Sequence, residues 1–208
     1  MPSAPEDHLS GFVVAIDGPS GSGKSSVSKQ VARTLGYGFL DTGAMYRALA
    51  WWCLSEDVDL TDAAAVTAAI RETRISTNVS AVAGVIPVRE LMRTLQRRLI
   101  SAAGSADGGV VAEGRDITTV VAPDAPVRIL LTASEEARLA RRSTELHGDA
   151  DEASVEATRS QIVDRDRADS AVSEFSVAAD GVTTIDTSNL DFEGSVRAVL
   201  QVVGAAQA

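Results

Sequence analysis

The sequence predicts an α/β fold, a parallel sheet of five strands flanked by helices, and it does so on three observations. A short apolar run, Phe12-Val13-Val14-Ala15-Ile16-Asp17, is the kind of segment that makes a strand buried on both faces. It runs into Gly18-Pro19-Ser20-Gly21-Ser22-Gly23-Lys24-Ser25-Ser26, which fits G-x-x-x-x-G-K-[ST] with Gly18, Gly23, Lys24 and Ser25 in the fixed positions. Further apolar runs then alternate with stretches of helical spacing, with crossovers long enough for right-handed strand–helix–strand units.

The glycine-rich stretch reads as a nucleotide-phosphate site. Glycines let successive backbone N–H groups turn inward toward phosphate oxygens, and the following helix offers the positive end of its dipole. Lys24 brings a point charge to the β- and γ-phosphates, and the Ser25 hydroxyl is placed to ligate Mg2+. Val27, Val31, Ala32 and Leu35 give that helix its apolar face, and Gly36 stops it.

Tyr37 to Asp41 is the next strand, after which Thr42 is placed to cap a helix running through Met45, Leu49, Trp52 and Cys53. Asp41 and Arg47 then lie near the C-terminal edge of the sheet, where open α/β sheets bind ligands. Residues 62–71 suggest a short helix. Pro87 opens a clearer one, Val88 to Ala103, with Leu91, Leu95 and Leu99 as one stripe and Arg89, Arg93 and Arg97 as another. Spacing alone leaves that basic stripe open between a solvated face and a binding face.

Gly104 to Gly109 reads as a loop and Val110-Val111-Ala112 as the third strand, leading into Glu113-Gly114-Arg115-Asp116. A charged cluster at the tip of a buried strand is poor packing and good chemistry. Val127 to Leu131 is the fourth strand. Ser134 caps a helix on which Arg138, Arg141 and Arg142 share a face. A helix from Glu152 to about Ala168 follows; Thr183 to Asp186 is the fifth strand; and a closing helix carries Val196, Val199, Leu200 and Val203.

Composition narrows the class. A chain of 208 residues, 45% hydrophobic and 23% charged, suits one compact domain with small inserted subdomains. Net charge of −10 repels nucleic acid and anionic membrane at long range, so an anionic substrate has to be met by clustered arginine. The lone Cys53, among Trp51, Trp52 and Leu54, reads as core filler in a reducing compartment. Met1 to Ser10 lacks the basic start and apolar middle of a signal peptide, and no stretch is long enough to span a bilayer. The expectation is a cytoplasmic protein without nucleic-acid or membrane partners.

The blocks Ile16 to Ser25, Leu40-Asp41-Thr42-Gly43-Ala44-Met45-Tyr46-Arg47, Glu113-Gly114-Arg115-Asp116-Ile117, Pro123 to Val127 and Ile185-Asp186-Thr187-Ser188 together resemble the bacterial cytidylate kinases, a family of nucleoside-monophosphate (NMP) kinases. The resemblance spreads over almost the whole chain. Its Asp-Thr-Gly-Ala-Met-Tyr-Arg and Glu-Gly-Arg-Asp blocks are far more specific than the P-loop. It implies the P-loop NMP-kinase fold as a single domain, with a core of residues 11–55, 100–137 and 174–208, an NMP-binding insert of residues 56–99 and a lid of residues 138–173.

Matched position by position, the resemblance implies that CMP is bound by Thr42, Arg47, Ser80, Arg89, Arg115, Asp116 and Asp169, and the phosphates of ATP by Gly18 through Ser26. The catalytic cations are then Lys24 and Arg115, with Arg138, Arg142 or Arg165 arriving from the lid. ATP and Mg2+, with Ser25 as metal ligand, are the implied cofactors; CMP or dCMP is the implied acceptor; and the expected state is a monomer. The chain departs from the family pattern twice. Ser76-Thr77-Asn78 runs almost straight into the Ser80 region, where the family has a longer insert, and Asp169-Ser170 abuts Ala171-Val172 where the family places an arginine.

Two other readings of the P-loop compete: a kinase for a different monophosphate or a small metabolite, and a regulatory nucleotide binder. The second requires switch segments and a water-positioning residue, which the sequence does not offer.

Overall fold

Residues Phe12–Asp17 form the central strand, β1, and the rest of the core follows from its burial on both faces. The computed structural model of the chain describes residues 9–55, 83–148, 151, 154–156, 159, 166–167, 170 and 175–208. After β1 come α1 (Lys24–Leu35), β2 (Gly38–Asp41), α2 (Thr42–Ser55), α3 (Ile86–Asp107), β3 (Gly109–Gly114) and a π-helical turn (Ile117–Val121). β4 (Val127–Thr132), α4 (Glu135–His147), β5 (Thr183–Asp186) and α5 (Phe192–Gln207) complete the order. The sheet runs β2-β3-β1-β4-β5 with every pairing parallel, as the alternating pattern predicts.

Strand alternation sends β1 side chains to two different layers. Val14 and Ile16 pack with Val27 and Val31 of α1 and with Val196, Val199 and Val203 of α5. Val13 and Ala15 pack on the opposite face with Ile100 of α3 and with Ile117 and Val121 of the π-helical turn. Each such fully buried Val or Ile contributes roughly 1.5–3 kcal/mol of transfer free energy, so the two layers fix the sheet between helices. A third cluster, Leu49, Ala50, Trp52, Cys53, Val88 and Met92, joins α2 to the start of α3. Cys53 is fully buried there and unpaired.

β1 is flanked by β3 on one side and β4 on the other, so the chain leaves it in opposite directions. A crevice opens at such a switch point, beyond the C-terminal strand ends. The glycine-rich loop, Glu113 and the segment after β3 all lie there.

Four local readings of the sequence change. α2 is capped by Asp41, whose Oδ1 accepts the Ala44 N–H at 2.7 Å, and not by Thr42, which is already helical. α3 continues through residues read as a loop and ends at Asp107, where Gly108 takes the left-handed conformation. The π-helical turn after Asp116 carries no periodic signal in five residues.

The fourth change is the rotation of α3. It buries Val88, Met92, Gln96 and Ile100, while Leu91, Leu95 and Leu99 stay 51%, 45% and 40% exposed. Gly104 continues the buried i+4 row, and a Cβ there would sit 2.0 Å from the Ser10 carbonyl oxygen. That close approach is available only to glycine, and Val88, Met92 and Ile100 of the same row pack into the core clusters. The helix expected over residues 62–71 lies outside the described residues. No described helix is long and apolar enough to cross a membrane.

Candidate active site

The loop of Gly18 to Gly23 leads from β1 into α1 and presents an unneutralised helix N-terminus. Gly23, at φ 86°, precedes α1 without a side-chain cap, and the first turn holds no acidic residue. By contrast α4 is capped by Ser134 ahead of Glu135 and Glu136, and α5 by Asp191 ahead of Glu193. The first N–H groups of α1 have no intrahelical acceptor, so this end of the molecule is built for an anion. The Ser22 hydroxyl, 1% exposed as a residue, has no hydrogen-bond partner among the described residues. An orphaned donor inside a cradle of amides fits a phosphate.

Arg115 and Arg138 reach this cradle from different elements. Arg115 donates from Nη1 to the Gly18 carbonyl at 3.1 Å and from Nη2 to Ser20 Oγ at 2.9 Å. Its guanidinium lies 4.2 Å over the ring of Phe175, a contact that fixes its plane. Arg138, in the first turn of α4, donates to the Ser20 carbonyl at 3.0 Å.

Asp166 holds the two arginines together. It accepts from Arg138, lies 3.2 Å from Arg115 and takes the Ser20 backbone N–H at 3.1 Å. A carboxylate here stands where a phosphate oxygen would meet the same donors. Arg138 Nε has no partner among the described residues.

On the other side of the cradle Ser25 Oγ donates to Glu113 Oε1 at 2.6 Å, and Lys24 Nζ donates to the Pro19 carbonyl at 3.3 Å. Burial pushes the Glu113 carboxyl above its ordinary pKa, against the pull of Lys24, with the Asp41 charge adding to the rise. A serine hydroxyl with one carboxylate suits Mg2+, which keeps several waters and takes its remaining ligands from substrate phosphates.

The elevated Glu113 pKa has a definite sign for stability. The folded chain binds this proton more tightly than the unfolded chain, so the associated stabilisation is complete below the ordinary value of 4.5 and is lost as pH rises through the elevated one. Glu113→Gln is therefore expected to raise the melting temperature at pH 7 and to flatten its dependence on pH above 4.5, while lowering turnover. Thermal melts across that range, beside activity at one Mg2+ concentration, check both.

A second cluster lies next to the first. Arg89 of α3 pairs with Asp116, and both side chains are largely buried, at 20% and 14% exposure. Burial pushes the Asp116 carboxyl up, and Arg89 and then Arg93 pull it back. Tyr46 faces the pair, and burial followed by the Asp116 charge pushes its hydroxyl up to about 12. Between the clusters, Thr42 Oγ1 donates to the Glu113 carbonyl at 2.8 Å and Arg47 pairs with Asp41 at 2.9 Å.

The structure thus brings Lys24, Ser25, Arg115 and Arg138 around one cradle, places Arg89 with Asp116, and sets Thr42 and Arg47 between. Arg142 is not among them: it pairs with Glu145 at 2.7 Å on the α4 surface. Arg141 turns inward instead, donating to the Thr187 carbonyl at 2.5 Å, to Thr187 Oγ1 at 2.9 Å and to the Ser22 carbonyl at 3.4 Å. Spacing put all three α4 arginines on one face and offered no way to prefer Arg142 over Arg141. Ser80, Arg165 and Asp169 lie outside the described residues.

Sequence reasoning gave no role of its own to two residues of the site. Glu113, which the sequence placed in the charged cluster at the tip of the third strand, is the penultimate residue of β3, in register with Ile16 of the strand that feeds the P-loop. Nothing in the sequence links Phe175 to Arg115.

Comparison with known proteins covers the whole of this arrangement. The family model for cytidylate kinase matches residues 14–73 and 63–205, two matches that overlap over residues 63–73. The chain is 43% identical to a cytidylate kinase of Streptomyces avermitilis, over 92% of each chain, and 42% identical to one of Streptomyces griseus, over 98% of this chain and 97% of that one. A gluconokinase structure from Sinorhizobium meliloti superimposes with a TM-score of 0.51 at 20% identity, covering 96% of this chain and 95% of that one, which shows the shared fold alone.

Proposed function

The chain belongs to the cytidylate kinase family, and from that premise we propose that it transfers the γ-phosphoryl group of ATP to CMP and dCMP, giving ADP with CDP or dCDP. The observation that carries this reading is the meeting of Arg115 and Arg138 over the open N-terminus of α1, with the Arg89–Asp116 pair alongside.

The chemistry is electrostatic. The nucleophile is an oxygen of the acceptor phosphate, already mostly dianionic at neutral pH because its second pKa is near 6, so no general base is needed. Two polyanions have to be brought in line and the charge on the migrating group compensated. The amides of Gly18 to Ser26 hold the β- and γ-phosphates of ATP, and Lys24 supplies the adjacent charge. Mg2+, when bound, would supply charge neutralisation at the transferring phosphates. Ser25 and Glu113 are the residues that would hold it.

Arg115 lies between donor and acceptor, and Arg138 adds a second guanidinium from α4. Arg47 and Arg89 take the acceptor phosphate. Each of these four arginines is already paired with a carboxylate of the chain, Asp166, Asp41 or Asp116. The pairing keeps neighbouring cations from repelling one another before substrate arrives. Asp116, with Ser80 and Arg89, reads cytosine by accepting a hydrogen bond from its exocyclic amine. The loop from Thr187, tied to the P-loop through Arg141, forms the adenine side.

The reading places the enzyme in the cytoplasm as a monomer, and the net charge of −10 argues against polyanionic partners. A coupled assay with ATP and each of CMP, dCMP, UMP, AMP and dTMP tests the function. Cytosine monophosphates are expected to give by far the fastest ADP release; preference for another acceptor would overturn the assignment.

A further inference from the structure

Asp17 is the last residue of β1, 2% exposed, and no step of the transfer uses it. Its carboxylate is fully engaged with the π-helical turn. Oδ1 accepts the Ile117 N–H at 2.9 Å, and Oδ2 accepts the Thr118 N–H at 2.8 Å and the Thr118 hydroxyl at 2.6 Å. Burial pushes its pKa up, and the three hydrogen bonds pull it back. A buried carboxylate held only by hydrogen bonds is costly for stability alone, since an apolar residue would fill the place without a desolvation penalty.

What Asp17 holds is the bend that carries Arg115 and Asp116. That bend begins at Gly114, which is in register with Asp17 in the sheet, and ends at Ile117, which Asp17 grips through its side chain. A single residue therefore fixes both ends. The packing at Gly114 leaves little slack, because a Cβ there would sit 2.5 Å from Thr42 Oγ1 and 2.8 Å from Ile117 Cδ1. The residue after Asp17 is Gly18, whose carbonyl accepts from Arg115 at 3.1 Å, so the same short segment sets the cradle and the arginine above it.

We propose that Asp17 is a positioning residue for phosphoryl transfer, one that fixes Arg115 and Asp116 in distance and orientation relative to the P-loop. The proposal rests on the assigned role of Arg115 and deepens it. A misplacement of about 1 Å at such a group is worth about a hundredfold in rate. Asp17→Asn keeps the volume but turns an amide NH2 toward one of the backbone donors, so the bend has to shift.

Two measurements on the full chain test this. The first is a double-mutant cycle in turnover with ATP and CMP. Asp17→Asn is expected to cost about 10- to 100-fold in kcat, with the ATP KM changing little, and to cost almost nothing further in an Arg115→Ala background. An equal loss in both backgrounds would show a general structural role and overturn the proposal.

The second measurement does not depend on the acceptor. Backbone amide exchange should quicken at Arg115, Asp116, Ile117 and Thr118 in Asp17→Asn while Gly21 to Ser26 stay as in the wild type. An unperturbed bend overturns the proposal whatever the substrate, whereas a wild-type enzyme inert toward CMP would count against the assigned reaction. Thr118→Val, which removes one of the three hydrogen bonds, is a milder companion expected to lose less in the same direction.

Discussion

Arg115→Ala is expected to leave the fold intact and to cut turnover at saturating CMP at least a hundredfold. The loss follows from where the guanidinium is held. Two hydrogen bonds to Gly18 and Ser20 and the Phe175 ring beneath it fix its plane above the amide cradle. A cation so fixed requires no reorganisation when charge builds on the migrating phosphoryl, which is the condition under which such a group is most effective. A transition-state arginine of this kind is worth on the order of 10³–10⁵ in rate, or about 4–7 kcal/mol.

The stability cost of Arg115→Ala should be far smaller. The hydrogen bonds removed contribute about 0.5–1.5 kcal/mol each, and Asp166 keeps Arg138 as partner. Steady-state kinetics beside a denaturant midpoint separates the two effects. Near-normal turnover would reject the role given to Arg115.

Asp116→Asn is expected to act on the acceptor and not on ATP. The variant keeps the shape of the side chain but leaves Arg89, only 20% exposed, beside a neutral amide. Breaking a buried pair by removing one partner costs about 3–5 kcal/mol, and the residual exposure of this one reduces that to about 2–4 kcal/mol. That cost falls on the stability of the fold. In kcat/KM for CMP, losing a hydrogen bond to a charged group is expected to cost about 1.5–3 kcal/mol, or about 10- to 150-fold at 1.4 kcal/mol per factor of ten.

Discrimination should fall at the same time. A carboxylate accepts the cytosine amine and repels the uracil carbonyl, whereas an asparagine amide can face either. The ratio of CMP to UMP turnover is thus expected to collapse toward unity with the ATP KM unchanged. A variant that keeps the wild-type ratio would remove Asp116 from base recognition.

The core was the most legible part of the chain. Val13 to Ile16 form an uninterrupted apolar run because β1 is covered on both faces, and the P-loop motif needs only strand before and helix after. The resemblance then pointed to Arg115, Asp116 and Arg89, which no periodicity would have brought together across 27 positions.

What stayed hidden depends on tertiary choices. The leucines of α3 spell an amphipathic stripe as regular as the row that is buried. The choice between them rests on tertiary contacts, the packing of Val88, Met92 and Ile100 and the close approach of Gly104 to Ser10. The inward turn of Arg141 likewise depends on carbonyls at Ser22 and Thr187 that belong to other elements. Asp17 reads as the end of a strand until the π-helical turn is seen to hang from it.

A single turnover with γ-³²P-labelled ATP, unlabelled CMP and excess enzyme tests the central claim most directly. Label is expected in the β-phosphate of CDP, with little released as inorganic phosphate, and the yield should drop sharply in Arg115→Ala. Label recovered only as inorganic phosphate, or unchanged transfer in that variant, would contradict a site in which arginines gathered over the α1 N-terminus hand the phosphoryl group from one nucleotide to another.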